Sequence, residues 1–132
     1  MAQPITFRKL TGGAGHTSVM SASPGPDLAG RGYSEHEYAA SGIARRFVET
    51  PDGGLDGVDT APFTTRILVR RPDAAQFNGH VLVEWFNVSS GADSAPEYTY
   101  VAEELIRSGT AYVGISAQYT GVAGGRDSVD LE

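Results

Sequence analysis

Gly114-Ile115-Ser116-Ala117-Gln118 is the stretch of this 132-residue chain that comes nearest to presenting a serine nucleophile. Such a serine sits on a tight strand-to-helix turn, usually Gly-x-Ser-x-Gly, because small neighbours tolerate the strained backbone. Gln118 stands where the second glycine belongs and no amphipathic helix follows, so Ser116 reads as a strand-end residue. Gly13-Ala14-Gly15-His16-Thr17-Ser18 begins like a dinucleotide loop, but Ser18 replaces the third glycine and no strand or helix is expected around it. Asp52-Gly53-Gly54-Leu55-Asp56-Gly57-Val58-Asp59 offers the carboxylates a hard cation needs. Counted from Asp52, however, the third calcium-loop position is Gly54 and the twelfth is Phe63, so two ligands are missing. His16, His36 and His80 form no i, i+4 pair, and in a strand His36 points away from Glu35 and Glu37. Asn87-Val88-Ser89 matches the glycosylation acceptor pattern at the end of an apolar strand, where chance explains it better. The residues of this chain therefore predict no metal, no cofactor and no catalytic side chain of their own.

The elements that would carry these groups read unevenly. Residues 11–32 are dense in Gly, Ser, Pro and Ala and offer little to bury, so residues 1–34 are expected to be an irregular N-terminal segment. Glu35 to Val48 suggests one or two strands broken near Gly42, and Thr50 to Pro62 carries turn chemistry too dense for a regular element. Phe63 to Arg71 alternates Thr65, Ile67 and Val69 with Arg66 and Arg70, the pattern of an outer, half-exposed strand. His80 to Asn87 is apolar on both faces, as in a parallel strand covered on both sides.

Ser94 followed three residues later by Glu97, with Pro96 in the first turn, has the spacing of a capping box. Tyr98, Val101, Ala102, Leu105 and Ile106 then make one apolar helical stripe, and Gly109 supplies the stop. Thr110 to Ser116 is a short apolar strand, which completes a strand-helix-strand unit with parallel strands. Residues 35–117 are thus read as a partial α/β domain and 118–132 as a polar tail.

Composition narrows the function classes. Sixteen acidic against ten basic residues give a net charge of −6, which argues against nucleic acid as a partner. Cysteine is absent, so thiol nucleophiles, thiolate metal sites and disulfides are excluded. No apolar run nears the roughly 18 residues that span a bilayer, and the first ten residues lack an apolar signal core. The expectation is a cytoplasmic or already processed chain with no membrane partner.

Several blocks in one order carry a resemblance. Phe63-Thr64-Thr65-Arg66-Ile67-Leu68-Val69-Arg70-Arg71-Pro72, Phe77-Asn78-Gly79 and Val81-Leu82-Val83-Glu84-Trp85-Phe86-Asn87-Val88-Ser89-Ser90-Gly91 resemble the N-terminal part of an α/β-hydrolase domain family. Asp93, Pro96-Glu97, Val113 to Gln118 and Gly121-Val122 continue the likeness, which covers about residues 31–125. The resemblance implies an α/β fold built from the early strands and first crossover helix of a serine-hydrolase sheet. It also implies that the loop after His80 to Asn87 supplies a backbone oxyanion donor, with Asn87, Val88 and Ser89 as candidates, although this loop lacks a His-Gly-Gly-Gly sequence.

In that family the nucleophile, acid and histidine would lie beyond Glu132. The chain is therefore expected to be the front part of an enzyme that cleaves carboxylic esters or related acyl bonds, inactive alone and incomplete as a fold. Thr110 to Ser116 is expected to be left as an apolar edge open to self-association or to a complementary chain. The rival readings are a non-catalytic interaction module that pairs through an exposed strand edge, and a small-ligand binding domain.

Overall fold

The computed structural model describes residues 4–11, 19, 25–124 and 131; the Gly13 to Ser18 loop with His16 lies outside them. Five strands form one sheet in the order β1-β2-β3-β5-β4: β1 is Thr6–Leu10, β2 Tyr33–Glu49, β3 Leu55–Pro72, β4 Val81–Trp85 and β5 Ala111–Ile115. Neighbours run antiparallel except β4 and β5, which are parallel and joined by helix α1, Pro96–Ser108. The expected strand-helix-strand unit is present. No described helix is long and apolar enough to cross a membrane.

Pairing partners, which local patterns cannot reveal, correct several expectations. Thr6–Leu10 is not irregular, because it pairs residue by residue with β2 from Glu37 to Ser41. Gly42 does not break β2, and only Thr50 to Gly54 forms the expected turn, since β3 starts at Leu55 opposite Glu49. The glycine-rich stretch is tolerated there because a register shift beside Phe47, which pairs with Gly57, absorbs Val58. β3 is an interior strand between β2 and β5.

β5 is interior as well. Its residues pair with β3 on one side and β4 on the other, so Thr110 to Ser116 offers no open edge for another chain. The sheet's edge strands are β1 and β4, and Val81, Val83 and Trp85 on β4 are exposed, so that strand is not covered on both faces.

The core lies between the sheet and α1. Leu68 and Tyr112 from the strands and Phe86 just past β4 meet Ala95, Tyr98, Ala102 and Leu105, with Val19, Leu82 and Val101 packed at the margin. The Tyr98 and Tyr112 rings are 4.6 Å apart at 51°, a tilted arrangement suited to aromatic quadrupoles. The β3 face that turns to this layer is the one that carries Arg66, Leu68 and Arg70, the reverse of the half-exposed assignment made from alternation. Arg70 is accommodated because its guanidinium lies 4.0 Å over the Tyr98 ring and its Nε donates to Glu35 Oε2 at 2.6 Å. Tyr33 ties the last turn down by donating to the Leu105 carbonyl at 2.9 Å. Gly109 ends the helix as expected, with φ +73.

The helix start departs from the capping box. Ala95 occupies the N-cap, and Ser94 Oγ donates instead to the Asn87 carbonyl at 3.0 Å. The cap comes from across the sheet: Glu84 on β4 accepts the Glu97 and Tyr98 backbone N–H groups, each at 3.0 Å, and the Tyr112 hydroxyl at 2.7 Å. A carboxylate satisfies orphan donors and meets the positive end of the helix dipole, so one side chain fixes α1 on both strands.

Burial, with the neighbouring Glu97 carboxyl, pushes the Glu84 pKa up, and the hydrogen bond from Glu84 pulls that of Glu97 down. The folded chain therefore binds the Glu84 proton more tightly than the unfolded chain does. Its contribution to stability is full below the ordinary glutamate range and is lost as pH rises through the raised value; Glu97 runs the opposite way. Carboxyl-carbon NMR titration should show Glu84 above and Glu97 below the usual range. In urea melts, Glu84→Ala should cost about 3 kcal/mol by leaving buried donors unpaired, whereas Ser94→Ala should cost well under that.

Candidate active site

The carboxyl ends of parallel strands are where open α/β sheets bind ligands, because the loops diverge there. At that end β4 runs into Phe86, which is fully buried and donates its backbone N–H to the Ile115 carbonyl at 3.0 Å. The ring lies so close over Gly114 that a Cβ at that position would overlap it. The chain then forms a closed loop from Asn87 to Ser94. Asn87 N donates to Ser94 O at 2.9 Å and Ser94 N to Asn87 O at 2.8 Å. Within the loop Ser89 N donates to Asn87 Oδ1 at 2.9 Å, and Gly91 N to Val88 O at 2.9 Å. These bonds make the loop a fixed turn.

Below it lies a buried charge network. Asp93 Oδ2 accepts Arg66 Nη2 at 2.7 Å and the Ser116 hydroxyl, and Arg66 Nε donates to Ser116 Oγ at 3.3 Å. Thr65 Oγ1 donates to the Ser116 carbonyl, and Ser116 N to the Arg66 carbonyl at 3.0 Å. All three side chains of the Arg66, Asp93 and Ser116 set are almost fully buried. Glu37 stands 3.8 Å from Arg66, and burial raises its pKa against the opposing pull of the guanidinium. Gly121 fits against Asp93 because it has no side chain; a Cβ there would overlap the carboxylate. The network joins β3, the loop and the end of β5 at one point.

Ser116 thus belongs to the support of the loop, and its hydroxyl is engaged by Asp93 and Arg66. His80 precedes β4 at its opposite end, and His36 lies on β2 beside Val69 of β3. No described histidine is brought to Ser116. Of the expected oxyanion donors, the Asn87 and Ser89 N–H groups are used inside the loop, while the Val88 N–H makes no hydrogen bond among the described residues. Sequence reasoning missed Arg66 and Glu84 as organising groups. For Glu84 the signal was a lone charge in the otherwise apolar run Val81 to Phe86; Arg66, in a strand that also carries Arg70 and Arg71, had no such signal.

A family model described as Alpha/beta hydrolase domain matches residues 1–132, and the chain belongs to that family. Neither curated proteins nor solved structures gave a match.

Removing one member of a buried, hydrogen-bonded ion pair leaves an uncompensated charge. Asp93→Ala should therefore destabilise the chain by about 3 to 5 kcal/mol in denaturant melts, and hydrogen exchange at the Asn87 and Ser94 amides should accelerate. Ser116→Ala removes one hydroxyl and leaves the ion pair, so a loss of about 1 kcal/mol is expected.

Proposed function

We propose that this chain contributes the oxyanion loop of a serine-hydrolase site for carboxylic esters or related acyl bonds, with the Val88 backbone N–H as its donor. The single observation that carries this reading is a free N–H in a rigid turn at the carboxyl end of β4. Attack of a serine on the acyl carbon places negative charge on the former carbonyl oxygen, and a donor held in place for that oxygen lowers the barrier without reorganising. The alcohol then leaves, and water releases the acid. Asn87 and Ser89 serve the same purpose indirectly, because their own N–H groups fix the turn.

In this reading the nucleophile, its base and its acid come from polypeptide outside the described residues. The open β4 edge and the exposed Val81, Val83 and Trp85 support that division, since a hydrolase sheet needs cover on both faces.

The test is complementation. The chain alone should not hydrolyse p-nitrophenyl acetate or butyrate above background. Mixed with a polypeptide that supplies the downstream half of a member of the same family, it should form an active esterase. Val88→Pro, which deletes the donor, should lower kcat of that complex by about a hundredfold or more. An unchanged kcat would remove Val88 from the role, and a folded complex with no activity would sink the hydrolase reading.

A further inference from the structure

Beyond the sheet proper, β2 and β3 continue as a ribbon two strands wide. β1 pairs with β2 only as far as Ser41, and β5 with β3 only from Ile67 to Arg70. Residues 42–49 and 55–63 therefore project as an arm roughly 25 Å long, at about 3.3 Å per residue. A two-stranded ribbon in water is marginal by itself. This one also exposes large apolar side chains: Phe47 at 54%, Leu55 at 69% and Ile43 share one face, and Val48 lies on the other. Among the described residues the outer edge of β2 past Ser41 has no strand partner, and no proline or lysine stands in it before Pro51.

We propose that this arm pairs with the same arm of a second copy of the chain, antiparallel along β2, with Phe47 on the two-fold axis. Charge selects that register. With Phe47 facing Phe47 of the other copy, Arg45 stands opposite Glu49 and Glu49 opposite Arg45, all on the same strand face. Neither side chain has an ion-pair partner among the described residues, so both charges are available. A shift of the axis to Arg46 sets Arg45 against Phe47 and Glu49 against Ile43, which leaves both charges without an opposite partner. A shift to Val48 sets Arg45 against Pro51 and Glu49 against Phe47, so both opposite-charge pairs are lost. Within its own chain Phe47 pairs with Gly57, which brings no side chain over the ring. Arg46, on the other face, is already held by Asp59 at 3.0 Å and does not interfere. The contact joins the two ribbons into a four-stranded one and satisfies the row of open backbone groups.

The experiment is sedimentation velocity on the full chain from about one to several hundred micromolar, with circular dichroism to confirm that each variant folds. The wild-type chain should show a monomer–dimer equilibrium. Arg45→Glu presents two carboxylates and Glu49→Arg two guanidiniums, so each variant alone should dimerise about tenfold or more weakly. An equimolar mixture of the two variants restores both opposite-charge pairs and should associate as a heterodimer. A wild-type chain that stays monomeric overturns the proposal. So does a dimer that both single variants retain, which would place association on the β4 edge, or a mixture that fails to associate.

Discussion

The ion pair between Arg66 and Asp93 is the contact on which the site end of the structure depends. Two charges from positions 27 residues apart are taken out of water together, which is tolerable only because further polar groups surround them. Ser116 and Glu37 provide part of that surrounding. The consequence is positional: Asp93 is paired to Arg66, so the loop between β4 and α1 is held over the end of β5 and the interior of β3. The closed bridge between Asn87 and Ser94 then fixes the direction of the remaining backbone. A rigid loop is what electrostatic stabilisation of a developing charge requires, since its donors must already be aimed before the reaction.

Glu84 plays the corresponding part for α1. Its carboxylate closes the helix start and bonds to Tyr112, so helix, β4 and β5 share one polar point within an apolar layer. The two networks flank Phe86, whose burial against Gly114 leaves no room for a side chain at that glycine. Each network contains a carboxyl pushed upward, Glu84 in one and Glu37 in the other, in each case chiefly because burial disfavours the charged form.

The sheet is unequal on its two sides. One face is closed by α1 and the core; the other presents Val81, Val83 and Trp85 to solvent. Membership of the hydrolase family and this asymmetry are consistent with each other, because sheets with parallel strands are stable when both faces are covered. The long β2 and β3 arm is a separate feature. Its length arises from pairing between strands that the glycine-rich turn chemistry had disguised.

What the sequence determined by itself were the features set by local periodicity. The apolar stripe of α1, the stop at Gly109, the parallel pairing of the strands around it and the strand-end character of Ser116 all follow from patterns within residues 80–116. The early-strand blocks also placed the chain in its family. The tertiary structure alone decided which strand lies at the edge, which face of β3 is buried and what caps the helix. Alternation marks two faces but not which one meets the core, and Arg66 and Arg70 could enter it only because Asp93, Glu35 and Tyr98 came from distant segments. Ser94 has the right spacing for a cap, yet Glu84 wins the position because a carboxylate on the adjacent strand reaches two helix N–H groups at once. Such choices are made between elements, by contacts that the periodicity of neither element encodes.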